Sequence, residues 1–391
     1  MRHLFIWIFL LCNITAYSQA AGVDFRGGKW AEVLAAAKKT HKPIFFYAWS
    51  PSCGPCVGMS RDVFPDSAVA RYYNAHFVSY KANIDEGEGK MLASRYGIQS
   101  LPAYLYFTAE GKPLHRSGDG KPAAAFILDG KDALNPSKAY FALKGRYAAG
   151  DRTAALLYAL SSAPGIRQEQ ALQSQLTGAY LKTQSAKEMS SRKNLEYIFN
   201  QYVPYESPAT QYFLQHQLEF VPQFGQQAVT KKSWSIIRNA AHTLGKKNDM
   251  VGLGNLQKSI ARLLPTQVKQ LQELAQIHYL LSQRNWPAFA DATIAYGQQF
   301  ATQDTYTLNE ATAFLTAFVD NKALLAKGDQ IIQQAIAADR SHLHLLTRAK
   351  LLHKLGNDVE ATTAATAALA AATTAGESTE DAAAFLAEIK K

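Results

Sequence analysis

Residues 43–56 read Pro43-Ile44-Phe45-Phe46-Tyr47-Ala48-Trp49-Ser50-Pro51-Ser52-Cys53-Gly54-Pro55-Cys56. After Pro43 comes an unbroken apolar run rich in aromatic residues. A run of this length predicts a strand buried on both faces, as in a parallel sheet. The cysteine pair follows directly, where a turn must end the strand and a helix begin. A strand leading into CxxC predicts an α/β layer fold with thiol chemistry at its edge.

The flanking segments agree with this. Lys29 to Thr40 has helical spacing with Trp30, Val33 and Leu34, and Cys53 to about Phe64 predicts a second helix. Phe77 to Ile84 predicts a strand, and Gly89 to Tyr96 a short helix closed by Gly97. Ala103–Thr108 and Pro113–Arg116, joined across Glu110-Gly111-Lys112, predict a hairpin, and Pro122 to Leu134 a last helix. Strands separated by helices, then a hairpin, then a helix, make one α/β sandwich over residues 21–137.

From residue 138 to 391 the strand signal stops and the sequence predicts an all-α domain. Polar, helix-breaking turns recur at Asn248-Asp249, Asn285-Trp286, Asp320-Asn321 and Asn357-Asp358, separated by 37, 35 and 37 residues. Helical stretches flank each turn. The period resembles that of helix-turn-helix arrays of the tetratricopeptide kind, whose signature residues are mostly absent, so the expectation is of stacked helical hairpins.

Residues 1–20, MRHLFIWIFLLCNITAYSQA, have a basic start, a short apolar stretch over Leu4 to Ala16, and small residues Ser18 and Ala20 at a cleavage site. Spanning a bilayer takes roughly 20 apolar residues. This is therefore read as a cleavable signal peptide, with an exported, periplasmic mature protein. Cys12 leaves with it, and all thiol chemistry falls on Cys53 and Cys56. The net charge of +10 comes from scattered basic residues rather than a run, and does not point to nucleic acid.

At a helix N-terminus, Cys53 meets unpaired backbone N–H groups and the positive end of the helix dipole, both of which favour its thiolate. Cys56, one turn on, is placed to resolve a mixed disulfide formed at Cys53. The pair is thus expected to be a redox-active disulfide, with Pro55 fixing the turn. A purely structural disulfide over so short a loop would contribute little. A zinc site would need two more ligands, and the segment that holds the cysteines offers no second Cys pair or close His pair. No metal or cofactor is expected.

Three stretches carry a family resemblance: Trp49 with CGPC, Lys81-Ala82-Asn83-Ile84-Asp85, and Tyr96-Gly97-Ile98-Gln99-Ser100-Leu101-Pro102-Ala103. The segment from about Val23 to Leu134 resembles the thioredoxin-like family, closest in kind to its exported bacterial members. The chain as a whole is thus expected to be an α/β thioredoxin-like domain followed by an all-α helical-hairpin domain. The resemblance implies a cis peptide at Pro102, beside the disulfide, with the Leu101 backbone pairing with an extended substrate. It also implies that Trp49, Gly54 and Pro55 help bind substrate, and that Gly118 gives close backbone access. Two departures stand out: Pro51-Ser52 precedes Cys53 where the family usually has Trp, and Tyr47 occupies the position of the family's buried acid. Tyr is a poor base at neutral pH, so Lys81 loses the partner the family gives it. Asp85 and Glu86 are expected to cap a loop.

The activity implied is an exported thiol-disulfide oxidoreductase acting on proteins with disulfides. The Gly-Pro dipeptide resembles that of reducing thioredoxins, and by resemblance a membrane thiol-transfer protein would supply electrons. The alternative is an adapter in which the helical region binds a partner and the α/β domain only docks. A peroxidase on this fold would want another cysteine setting.

Overall fold

The computed structural model describes residues 22–389, so the expected leader, with Cys12, lies outside the described residues. The chain divides after Met189 into two compact units.

The first unit is built on strands β1 (Phe25–Arg26), β2 (Ile44–Trp49), β3 (Val78–Asn83), β4 (Ala103–Phe107) and β5 (Pro113–Gly118), in the order β1-β3-β2-β4-β5. β1 and β2 run parallel to β3, whereas β4 is antiparallel to β2 and to β5. Helices α1 (Trp30–Thr40), α2 (Gly54–Gly58), α3 (Ser67–His76), α4 (Gly87–Arg95) and α5 (Ala123–Ala133) complete the sandwich, with a π turn over Met59–Val63 continuing α2. The alternation of β2 explains its unbroken apolar run. Phe45 and Tyr47 face a core with Tyr73, Tyr104 and Phe126, while Ile44, Phe46 and Ala48 face another with Trp30, Val33 and Leu92. Two elements went unforeseen: the two-residue β1, and α3, whose N-cap Asp66 accepts from the N–H groups of Ala68 and Val69.

The chain is helical after residue 118 but stays in the first unit to 189. The added elements are α6 (Tyr140–Ala148), α7 (Ala154–Ser162), a 3₁₀ turn over Pro164–Gln168, α8 (Gln170–Lys182) and α9 (Ala186–Met189). Their anchor is β5: the buried Tyr140 donates its backbone N–H to His115 Nδ1 at 3.0 Å. Strands therefore end where the sequence places them, but α6 and the 3₁₀ turn pack on β5, and α7 and α8 pack on those two.

The second unit comprises α10 (Arg192–Asn200), α11 (Pro208–Gln215), α12 (Gln217–Phe224), α13 (Gln226–Lys246), α14 (Met250–Leu263), α15 (Val268–Ser282), α16 (Trp286–Phe300), α17 (Thr305–Phe318), α18 (Lys322–Ala338), α19 (His342–Leu355), α20 (Asp358–Ala375) and α21 (Glu380–Ile389). The four recurring polar turns each join two helices: α13 to α14, α15 to α16, α17 to α18 and α19 to α20. Three share one geometry. Asn248, Arg284 and Gly356 take positive φ, and the next residue, Asp249, Asn285 or Asn357, donates its N–H to the carbonyl five residues back. That is a Schellman closure. In the first two, the same residue then caps the following helix through its side chain. Successive hairpins stack, α13 on α15, α16 on α18, and α17 on α19. Gly245 permits the first crossing, since a Cβ there would lie 2.3 Å from the Tyr279 carbonyl oxygen.

Candidate active site at the end of strand β2

The site begins where β2 stops. Ser50 is buried, and its hydroxyl donates to the Asp85 carboxylate at 2.5 Å and lies 2.9 Å from Ser52 Oγ. Its carbonyl accepts from the Cys53 N–H at 3.1 Å. The 50–53 turn is thus tied to the loop after β3, where Asn83 bonds to the Asp85 N–H and to Glu86. Glu86 stays within its loop, whereas the expected loop-capping role of Asp85 becomes a specific hold on the turn that presents the cysteine.

Cys53 is the extended N-cap of α2, and its Sγ accepts from the Cys56 N–H at 3.2 Å. Gly54 and Pro55 form the first turn, where the N–H that proline lacks has no helical partner to lose. Sγ of Cys53 and Sγ of Cys56 are bonded, with Cα atoms 5.2 Å apart. Cys56 is 1% exposed, whereas Cys53 is only partly buried. The pair is therefore asymmetric, and only the first sulfur is open to attack.

Trp49, Cys53 and Leu101 pack against the same core as Cys56 and Met59. The Leu101–Pro102 peptide is cis. A Cβ on Gly118 would come within 3.0 Å of the Pro102 carbonyl oxygen, so glycine permits that approach. Gly54 and Pro55 are exposed beside the disulfide. The residues singled out in the sequence thus gather at one end of the sheet, while Lys81 stands apart with its ammonium over the Phe25 ring, 5.4 Å from the centroid.

Tyr47 lies beneath α2 and donates its hydroxyl to the Cys56 carbonyl at 3.1 Å. Burial pushes its pKa up to about 12, so it is protonated at neutral pH and cannot act as a base there. Among the described residues, no carboxylate hydrogen-bonds to either sulfur.

The sequence reading missed a buried polar cluster on the same side of the sheet. Asp129, on α5, is 6% exposed and accepts from Tyr106 Oη at 3.0 Å and from the Ser117 hydroxyl. Lys121 Nζ lies 3.0 Å from its carboxylate, and His115 Nε2 lies 3.5 Å away. His115 Nδ1 accepts from Tyr140, so the imidazole proton sits on Nε2, toward the acid. Burial alone would raise the Asp129 pKa. The His115 and Lys121 interactions, with Ser117, overcome it and hold the acid at about 2. The same Lys121 donates its backbone N–H to Met59 Sδ at 3.3 Å, which links the cluster to the end of the cysteine helix.

Among the described residues, no group of three His, Cys, Asp or Glu could hold a metal ion, and no helix is long and apolar enough to cross a membrane.

Residues 30–127 match the family model of the thioredoxin-like domain. The chain is 31% identical over 78 residues to a chloroplastic M-type thioredoxin of Pisum sativum, covering 20% of this chain and 41% of that protein. It thus spans less than half the length of that curated relative. Among solved structures, a candidate disulphide-isomerase from Bacteroides thetaiotaomicron is 33% identical, with a TM-score of 0.28, over 30% of this chain and 98% of its own. A thioredoxin from Thermus thermophilus is 26% identical, with a TM-score of 0.27, over 28% of this chain and 87% of its own.

Proposed function

Since residues 30–127 form a domain of the thioredoxin-like family, we propose that the protein is an exported thiol-disulfide oxidoreductase that reduces disulfides in protein substrates. The single observation that carries this reading is the asymmetric Cys53–Cys56 pair, one sulfur accessible and one buried, at the start of α2. In the reduced form the Cys53 thiolate attacks one sulfur of a substrate disulfide. The S–S bond breaks, the other substrate sulfur leaves as a thiolate and takes a proton from solvent, and a mixed disulfide remains. Cys56 then attacks Cys53 Sγ, its proton going to the second departing substrate sulfur. Two electrons pass to the substrate, which becomes a dithiol, and the Cys53–Cys56 disulfide is restored.

The N-terminal peptide end of α2 favours the Cys53 thiolate. Trp49, Gly54, Pro55 and the Leu101–Pro102 backbone form the groove that receives the substrate chain. Tyr47, held neutral by burial, positions the Cys56 backbone and takes no part in the proton transfer. Catalysis requires a dithiol donor to return electrons, and in the periplasm, where the leader would send the protein, a membrane thiol-transfer protein supplies them. The stacked hairpins of the second unit select the client, since such arrays offer extended binding surfaces.

The test is turnover. With excess dithiothreitol, the full-length mature chain should reduce insulin many times over, and Cys53→Ala should abolish this. Binding at fixed stoichiometry without reduction would instead favour an adapter.

A further inference from the structure

The loop from Gly118 to Lys121 borders the cysteine helix and the cis-proline. Gly118 is pressed on the Pro102 carbonyl, a Cβ on Gly120 would lie 3.6 Å from Pro55 Cβ, and the Lys121 N–H reaches Met59. Between them, Asp119 takes φ +66, a region that non-glycine residues rarely occupy and that must be held by its surroundings. Two contacts hold it. Its carbonyl accepts from the Tyr104 hydroxyl at 3.1 Å, and its carboxylate pairs with Arg167.

Arg167 does not belong to the sandwich. It sits on the 3₁₀ turn after α7, in the helices added beyond residue 138. That turn is fixed: a Cβ on Gly165 would lie 2.5 Å from Arg116 Cγ and 2.6 Å from the Tyr140 ring, so the turn lies flush on β5 and α6. Tyr140 and Lys144 of α6 in turn bond to Glu169, immediately beyond the turn. The guanidinium is therefore presented by a rigid support to a loop that borders the cysteines.

We propose that Arg167 is a positioning residue for the substrate groove. Through Asp119 it sets where Gly118 and Gly120 lie against Pro102 and Pro55, and so the width of the groove beside Cys53. This rests on the oxidoreductase reading above. It gives the helices between 138 and 189 a part in substrate fit, apart from any client surface on the second unit. An extended peptide must lie along this loop to reach Cys53, whereas a small aromatic disulfide needs only the partly exposed Cys53.

The test compares steady-state reduction of insulin, with dithiothreitol as electron donor, and reduction of 5,5′-dithiobis(2-nitrobenzoate) by pre-reduced enzyme freed of dithiothreitol, for wild type, Arg167→Ala, Arg167→Lys and Asp119→Ala. Arg146→Ala, which removes an exposed ion pair with Asp151 elsewhere on the same helices, serves as a control. For Arg167→Ala and Asp119→Ala the expected result is a KM for insulin raised about fivefold at constant kcat, the scale of one exposed ion pair. Arg167→Lys should recover most of the loss, and the rate of small-disulfide reduction should stay within twofold. An unchanged insulin KM in Arg167→Ala, equal losses on both substrates, or the same rise in Arg146→Ala would each overturn the positioning role while leaving the oxidoreductase reading intact. Absence of reduction of both substrates by the wild type would overturn both.

Discussion

The Asp129 cluster gives a prediction whose size follows from its geometry. Asp129 is 6% exposed yet ionised, with Lys121 Nζ at 3.0 Å, Tyr106 Oη at 3.0 Å and His115 Nε2 at 3.5 Å. A carboxyl that titrates near 3.8 in the unfolded chain and at about 2 in the fold carries about 2 kcal/mol at neutral pH, at ~1.4 kcal/mol per pH unit between the two values. Because the folded value is the lower one, the unfolded chain takes up the proton first. The stabilisation is complete above about pH 5 and is lost as pH falls from near 3.8 through 2. Asp129→Asn keeps the shape but removes the charge and leaves the half-buried Lys121 without its counter-ion. It should cost at least about 2 kcal/mol at pH 7, rising toward the ~3–5 kcal/mol of a broken buried pair. Urea unfolding at pH 7, 5, 4 and 3 would measure this. With Trp234 and Trp286 replaced by Phe, fluorescence from Trp30 and Trp49 follows the sheet unit. Between pH 7 and 3 the acid-dependent loss of stability should be shallower in Asp129→Asn than in wild type by about half that amount, because the loss is complete only below pH 2. Superimposed pH profiles, or equal stability at pH 7, would refute the assignment of a paired, ionised Asp129.

Tyr47→Phe should leave insulin turnover within twofold from pH 6 to 9 and lower stability by about 1 kcal/mol, because it removes only the bond to the Cys56 carbonyl; a changed pH–rate profile would show that the phenol takes part in proton transfer. Gly245→Ala should lower the stability of the second unit by about 1–3 kcal/mol in thermal unfolding, since its Cβ would meet the Tyr279 carbonyl at 2.3 Å; an unaltered transition would mean that α13 and α15 can part freely. Lys232, among the rings of Phe199, Tyr202 and Phe213 at 5.3–5.6 Å, has its pKa pushed down by burial to about 8. Its folded value lies below its unfolded one, so wild type should gain stability relative to Lys232→Met as pH rises from 8 to 10.5; parallel curves across that window would contradict this.

What the sequence made legible depended on how local the signal was. The unbroken run of β2 and the CGPC at the next helix start are contiguous, and both read directly. The hairpin turns of the second unit were also legible, because Asn and Asp mark a Schellman closure and N-cap within a few residues. β1 left no trace, since a two-residue strand has no period to detect. For α3 the signal existed in Asp66 followed by Val69, Ala70 and Tyr73, but Pro65 and the short length hid it. Asp129 reads as a solvent-facing helix residue until β5 is folded against it. The alternation of β5, which buries His115 and Ser117 while Leu114, Arg116 and Gly118 stay partly exposed, was the one available clue. Asp119 and Arg167 lie 48 residues apart, and no pattern connects them before the 3₁₀ turn docks on the sheet. The division between the units was hidden for a similar reason. Helices that cover a sheet edge and helices that stack on each other share one periodicity, and only packing separates them.

The central claim, an attacking thiol at Cys53 resolved by Cys56, is tested most directly by trapping mixed disulfides in cells that express Cys56→Ala, with Cys53→Ala as the blank. Without the buried resolving sulfur, Cys53 should stay joined to its substrates, giving reductant-sensitive adducts only in the Cys56→Ala strain, with partners identifiable by mass. A folded, exported Cys56→Ala protein without such adducts, or the same adducts in both strains, would contradict the account.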